Sequence, residues 1–157
     1  MIPARAKRRI SVAVIGASAA DKGTADIAYD TGFRIAKEGW TLICGGLGGV
    51  MEHVSKGAFD AGGQTVGILP GYAHDDANEY IKLPIPTGLG HARNAIVASS
   101  ANGIIAIGGE YGTLSEIALG LKMGKPVVGL SINFDIKGVL PASTPEEAIS
   151  ILKDHLA

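Results

Sequence analysis

Short apolar runs alternate with amphipathic stretches along almost the whole chain. Residues 10–15 are β-branched and nearly unbroken in apolar character, the pattern of a strand buried on both faces of a parallel sheet. A stripe of Ile27, Ala28, Phe33, Ile35 and Ala36 predicts a helix over about 24–37, stopped by Gly39, and Thr41–Cys44 reads as a second strand. The same logic predicts a helix to about Ala61, strands at 64–69, 103–107 and 126–130, and helices at about 89–100 and 114–123. A short strand near 81–85 has the weakest pattern. Thr144, Pro145 and Glu147 mark the start of a last helix as cap, first helical residue and third-position acid. Regular β-α alternation predicts an α/β fold, a Rossmann-like doubly wound and mostly parallel sheet with helices on both faces.

Composition changes this picture little. The chain has 157 residues, 46% of them hydrophobic, enough for one domain with a real core. We expect a basic tail over residues 1–9 and a single domain over 10–157. Arg5, Lys7, Arg8 and Arg9 supply the tail's charge; the remainder has 15 acidic against 10 basic side chains, a poor nonspecific partner for nucleic acid. Cys44 is the single cysteine, so no internal disulfide forms. No signal peptide and no membrane-spanning run is visible, which predicts a cytoplasmic protein without a membrane partner.

Candidate chemistry gathers at three glycine turns placed where strands end and helices begin: Gly16-Ala17-Ser18; Gly45, Gly46, Gly48 and Gly49 with Met51 just after; and Gly108 and Gly109 followed by Gly112 and Thr113. In a parallel sheet these ends share one edge, where backbone N–H groups and helix N-termini face an anion and close approach favours residues without a Cβ. The spacing predicts a small phosphorylated ligand. The dinucleotide fingerprint G-x-G-x-x-G is absent, since Ala17, Ser18 and Ala19 follow Gly16. A P-loop is absent too, since Gly124-Lys125 runs into Pro126 and a strand.

At these residues the chain resembles the LOG and molybdenum-cofactor-carrier superfamily, Rossmann-like proteins once labelled lysine decarboxylases and distantly related to the DprA/Smf group. The resemblance covers about residues 10–130. It rests on the Gly16 to Ser18 turn, the glycine-rich turn leading to Met51, Arg93 on a middle helix, and Gly108-Gly109 through Gly112-Thr113 to Glu116. In LOG enzymes the last motif reads P-G-G-x-G-T-x-x-E and the Arg precedes Lys. Here Ile107 replaces the Pro, Glu110-Tyr111 puts two residues between the glycines, and Asn94 follows Arg93, which is closer to the carriers. The resemblance implies either of two functions. One is a carrier of a molybdopterin-type cofactor; the other is hydrolysis of the N-glycosidic bond of a nucleoside 5′-monophosphate, with no cofactor required. For the enzyme it implies that Glu116 stabilises the oxocarbenium-like centre or orients a water while Arg93 holds phosphate or sugar. It also implies a homo-oligomer built through the helices after Thr87 and Gly112.

Structural alternatives stand beside these roles. Thr113-x-x-Glu116 is also a capping box. Arg93 could pair with an acid on a neighbouring helix, and the glycines could serve packing alone. His74-Asp75-Asp76 are adjacent loop residues that point apart, so no metal site is expected. Cys44 reads as a small core hydrophobe, and no lysine stands out for a pyridoxal phosphate Schiff base.

Overall fold

A computed structural model describes residues 2–156. Residues 2–9 are exposed and without secondary structure. From there strands and helices alternate: β1 (Ser11–Gly16), α1 (Lys22–Lys37), β2 (Thr41–Cys44), α2 (Val50–Asp60), β3 (Thr65–Leu69), β4 (Leu83–Pro86), α3 (Arg93–Ser100), β5 (Gly103–Ile107), α4 (Tyr111–Lys122), β6 (Val127–Leu130), β7 (Leu140–Ala142) and α5 (Pro145–Leu156). The strands form one sheet in the order β4-β3-β2-β1-β5-β6-β7, and every neighbouring pair is parallel. The winding reverses direction between β1 and β5, where Gly16 stands opposite Ile107. Ligands of doubly wound sheets bind at such a switch point, outside the carboxyl ends of the strands. Both edge strands carry proline: Pro84 and Pro86 in β4, Pro141 in β7.

Alternation along each strand sorts side chains onto two faces. Val12 and Val14 of β1 and Ile105 and Ile107 of β5 pack with Ile35 of α1, Val54 of α2 and Leu152 of α5. Ala13, Ile15, Ile104 and Ala106 pack instead with Val97 of α3 and Ile117 of α4. Because both faces are covered, β5 is buried at every residue, as its uninterrupted apolar run predicts. Helices α1 and α2 cross where neither has a side chain: a Cβ on Gly32 would overlap the Val54 carbonyl, and one on Gly57 the Tyr29 carbonyl.

Four local expectations change. The helix expected from Leu114 starts at Tyr111, with Glu110 at the cap position and no side-chain cap. Gly108 and Gly109, at φ of 58° and 111°, turn the chain early enough for this. The Thr113–Glu116 capping box therefore does not form. The segment before Arg93 is a 3-10 turn, Gly90–Ala92, rather than regular helix. The weakly patterned strand lies at Leu83–Pro86, two residues beyond its expected start, and β7 was without a sequence signal. The start of α5 is as expected: Glu147 N–H donates to Thr144 Oγ1 at 3.1 Å, and Glu147 Oε2 accepts from Ser143 N–H at 2.9 Å.

Candidate functional site

The three glycine turns meet at the switch point. A Cβ on Gly16 would lie 2.6 Å from the Ile107 carbonyl oxygen and 2.7 Å from Val50 Cγ1, so only glycine lets β1, β5 and α2 close together there. Gly49, at φ 65°, presses against the backbone of Ala17 and Ser18, and Val50 N–H donates to Ala17 O at 3.0 Å. The first two turns are thereby stitched into one surface. Above it opens a cavity of about 320 Å³. None of the helices that begin at this rim, α2, α3 and α4, has a side-chain cap. By contrast α1 and α5, which do not line the cavity, are capped by Asp21 and Thr144. The first bond of α4 runs from Leu114 N–H to Glu110 O at 2.9 Å, which leaves the N–H groups of Tyr111, Gly112 and Thr113 as unpaired donors at the positive end of the helix.

Three polar side chains meet the cavity at its buried side. Arg93, the first residue of α3, donates from Nε to Ile68 O at 2.9 Å and from Nη1 to Asn94 Oδ1. Its guanidinium lies where a Cβ on Gly45 would be, 2.7 Å from Nη2, so that glycine makes room for it. With two of five N–H groups used, three remain for a ligand. Asn94 is 6% exposed and Glu116 is 7% exposed. No hydrogen bond or ion pair from a described residue reaches the Glu116 carboxyl, and Arg93 does not pair with it. Burial pushes this carboxyl up to about 7, against the lowering pull of the Arg93 charge. Burial also lowers Arg93 from its ordinary value, while Glu116 and Cys44 draw it back up. Beneath them Cys44 is buried, its Sγ 3.4 Å from Ser55 Oγ and from Gly46 N, and burial pushes its thiol up.

The cavity brings together Gly16, Ala17, Ser18, Gly45 and Met51 from the first two turns with Arg93, Gly112, Thr113 and Glu116. Gly46, Gly48, Gly49, Gly108 and Gly109 are not in its lining. Gly46 packs on Leu69 and Gly67, Gly49 on the first turn, and Gly109 on the Thr113 side chain. His91 and Glu110 line the cavity too, as does Asn94. His91 and Glu110 had only proximity to Arg93 and to the glycine pair as a signal. His74, Asp75 and Asp76 lie in an exposed 3-10 turn, and among the described residues no three His, Cys, Asp or Glu side chains are grouped to hold a metal ion. No described helix is long and apolar enough to cross a membrane. A second cavity of about 550 Å³ lies between α1 and α5; some of its lining charges pair with one another, Lys153 with Glu38 at 3.2 Å and Arg34 with Asp30 at 3.0 Å, and Lys37 lies over the Phe33 ring.

The sequence model of the SLOG cluster4 family matches residues 9–155. An uncharacterised protein of Archaeoglobus fulgidus is 47% identical over 141 residues, covering 90% of this chain and 93% of its own. The cytokinin riboside 5′-monophosphate phosphoribohydrolase of Mycobacterium marinum is 36% identical over 100 residues, 59% of this chain, and the match spans about half, 51%, of that enzyme. Among solved structures, the molybdenum cofactor binding protein of Rippkaea orientalis superposes with a TM-score of 0.91 at 39% identity, covering 97% of this chain and 100% of its own. The molybdenum cofactor carrier protein of Chlamydomonas reinhardtii does so with 0.88 at 37%, covering 95% and 99%.

Proposed function

This chain belongs to the SLOG cluster4 family, and we propose on that premise that it binds a phosphorylated nucleotide-like ligand, a nucleoside monophosphate or a molybdopterin-type cofactor, and acts as its carrier in the cytoplasm. The observation that carries this is the convergence of unpaired donors on one cavity at the switch point: the N–H groups of Gly112 and Thr113, the free N–H groups of Arg93, and the buried Asn94 amide. Such donors suit phosphate oxygens. Gly16 to Ser18 and Gly45 give the ligand close backbone approach, Met51 offers an apolar wall, and the remaining glycines shape the turns. The residues present fit a molybdopterin-type group, whose phosphate the donors would hold and whose bulk the cavity would shield from solvent. Likeness to the Rippkaea and Chlamydomonas proteins over nearly the whole of each chain supports the carrier reading.

The second reading is hydrolysis of the N-glycosidic bond of a nucleoside 5′-monophosphate. It is favoured by a buried acid and an arginine beside one cavity, and by the Mycobacterium marinum relative. Incubation with AMP and GMP, followed by chromatography for free base, separates the two. We expect thermal protection without base release; at a ligand concentration of about 100 Kd the stabilisation is about 2.7 kcal/mol, a rise in Tm of about 5–10 °C. Base release that Glu116→Gln abolishes would instead establish the hydrolase. Absence of both effects sinks the hydrolase and leaves a nucleoside monophosphate out as the carried ligand.

A further inference from the structure

We propose that Glu116 meets the ligand as a neutral carboxylic acid, donating together with Asn94 and Arg93 to one anionic oxygen group at the buried side of the cavity, so that loading takes up a proton from solvent. The proposal rests on the anion-binding reading above and deepens it.

The geometry begins with Arg93. A guanidinium beside a carboxylate ordinarily pairs with it, yet here its Nε is taken by Ile68 O and its Nη1 by Asn94 Oδ1, and no ion pair to Glu116 forms. Because a guanidinium can only donate, the Asn94 oxygen must face Arg93, which leaves the Asn94 Nδ2 as a donor for something else. Every fully enclosed side-chain nitrogen or oxygen among the described residues has a partner. The unpartnered Asn94 Nδ2 and Glu116 carboxyl therefore open onto the cavity they line. The Asn94 Nδ2 and the Glu116 carboxyl, on two residues more than nine-tenths buried, thus wait without partners beside an uncapped helix start.

Charge decides the protonation state. The charged and titratable groups facing Glu116 are Arg93 at the start of α3, His91 just before it, the Cys44 thiol at the end of β2, and Glu110 at the start of its own helix. The strands under α4, β1, β5 and β6, contribute no titratable side chain. An incoming phosphate monoester adds negative charge where burial already disfavours the carboxylate, and a phosphate oxygen offers only acceptors. The acid form of Glu116 satisfies such an oxygen; the carboxylate repels it.

Isothermal titration calorimetry of the full chain with AMP, GMP and inorganic phosphate tests this, at pH 6 to 8.5 and in two buffers of different protonation enthalpy. For the natural chain at pH 8 we expect uptake approaching one proton per ligand beyond that seen with Glu116→Gln, and affinity falling up to tenfold per pH unit above about 7. Glu116→Gln, which donates without a proton, has a flatter profile and binds about tenfold more tightly than the natural chain at pH 8. Asn94→Asp weakens binding throughout, and His91→Gln keeps the uptake. Binding with no extra proton uptake, or uptake lost in His91→Gln, overturns this inference alone. Absence of binding by all three probes to both proteins overturns the nucleoside-monophosphate reading and this inference with it. Where Glu116→Gln fails to fold, Glu116→Ala supplies the reference count.

Discussion

Glu116 is a residue whose burial has a measurable cost in the unliganded fold. Its carboxyl is raised from 4.5 to about 7, so between those values the folded chain holds a proton that the unfolded chain does not. The stability this gives is full below 4.5 and is lost as pH rises through 7. Over that window the loss is about 3 kcal/mol in the linkage relation. Urea unfolding at pH 5 and pH 8 should show the natural chain losing stability relative to Glu116→Gln, and an equal change in both proteins would contradict it. Arg93 and Glu116 were legible as site candidates through the resemblance to the LOG and molybdenum-cofactor-carrier superfamily. The bond that fixes Arg93 against Asn94, and the exposure of His91 and Glu110 to the same cavity, follow from where α3 and α4 begin, which no spacing encodes.

Where α4 begins is itself set by backbone rather than pattern. Glu110, Tyr111 and Gly112 have no apolar periodicity, so the helix was legible only from Leu114, and its first turn came from the positive φ of Gly108 and Gly109. The runs forming β1, β2 and β5 were legible because both their faces are buried. The three residues of β7 at the sheet edge have one proline and no buried position, so nothing marked them. The crossing of α1 and α2 gives a sharper element-scale expectation. By helix propensity alone, Gly→Ala in a helix stabilises by about 1 kcal/mol. At Gly32 and Gly57 the added methyl meets the backbone of the facing helix, and overpacking of this kind costs about 1–3 kcal/mol or more. Gly32→Ala and Gly57→Ala should therefore lower Tm, whereas an increase at either would mean that the helices can move apart freely.

At the scale of the whole molecule, the doubly wound architecture and the edge where the glycine turns meet a cavity were both readable from the order of runs and glycine turns, since right-handed crossovers leave few ways to wind them. How many copies act together was not. We propose a homo-oligomer, and light scattering coupled to size-exclusion chromatography at micromolar concentration should give at least twice the chain mass; a monomer there contradicts it. The route to that assembly is narrowed by the prolines of β4 and β7. A strand can be extended by a neighbour only if its outer N–H groups are free to donate, and Pro84, Pro86 and Pro141 have none. Both rims of the sheet are thus poor templates for stacking molecule on molecule into fibrils. Copies are left to meet through their helical layers, where recognition depends on side chains and evolution can retune it without disturbing the sheet.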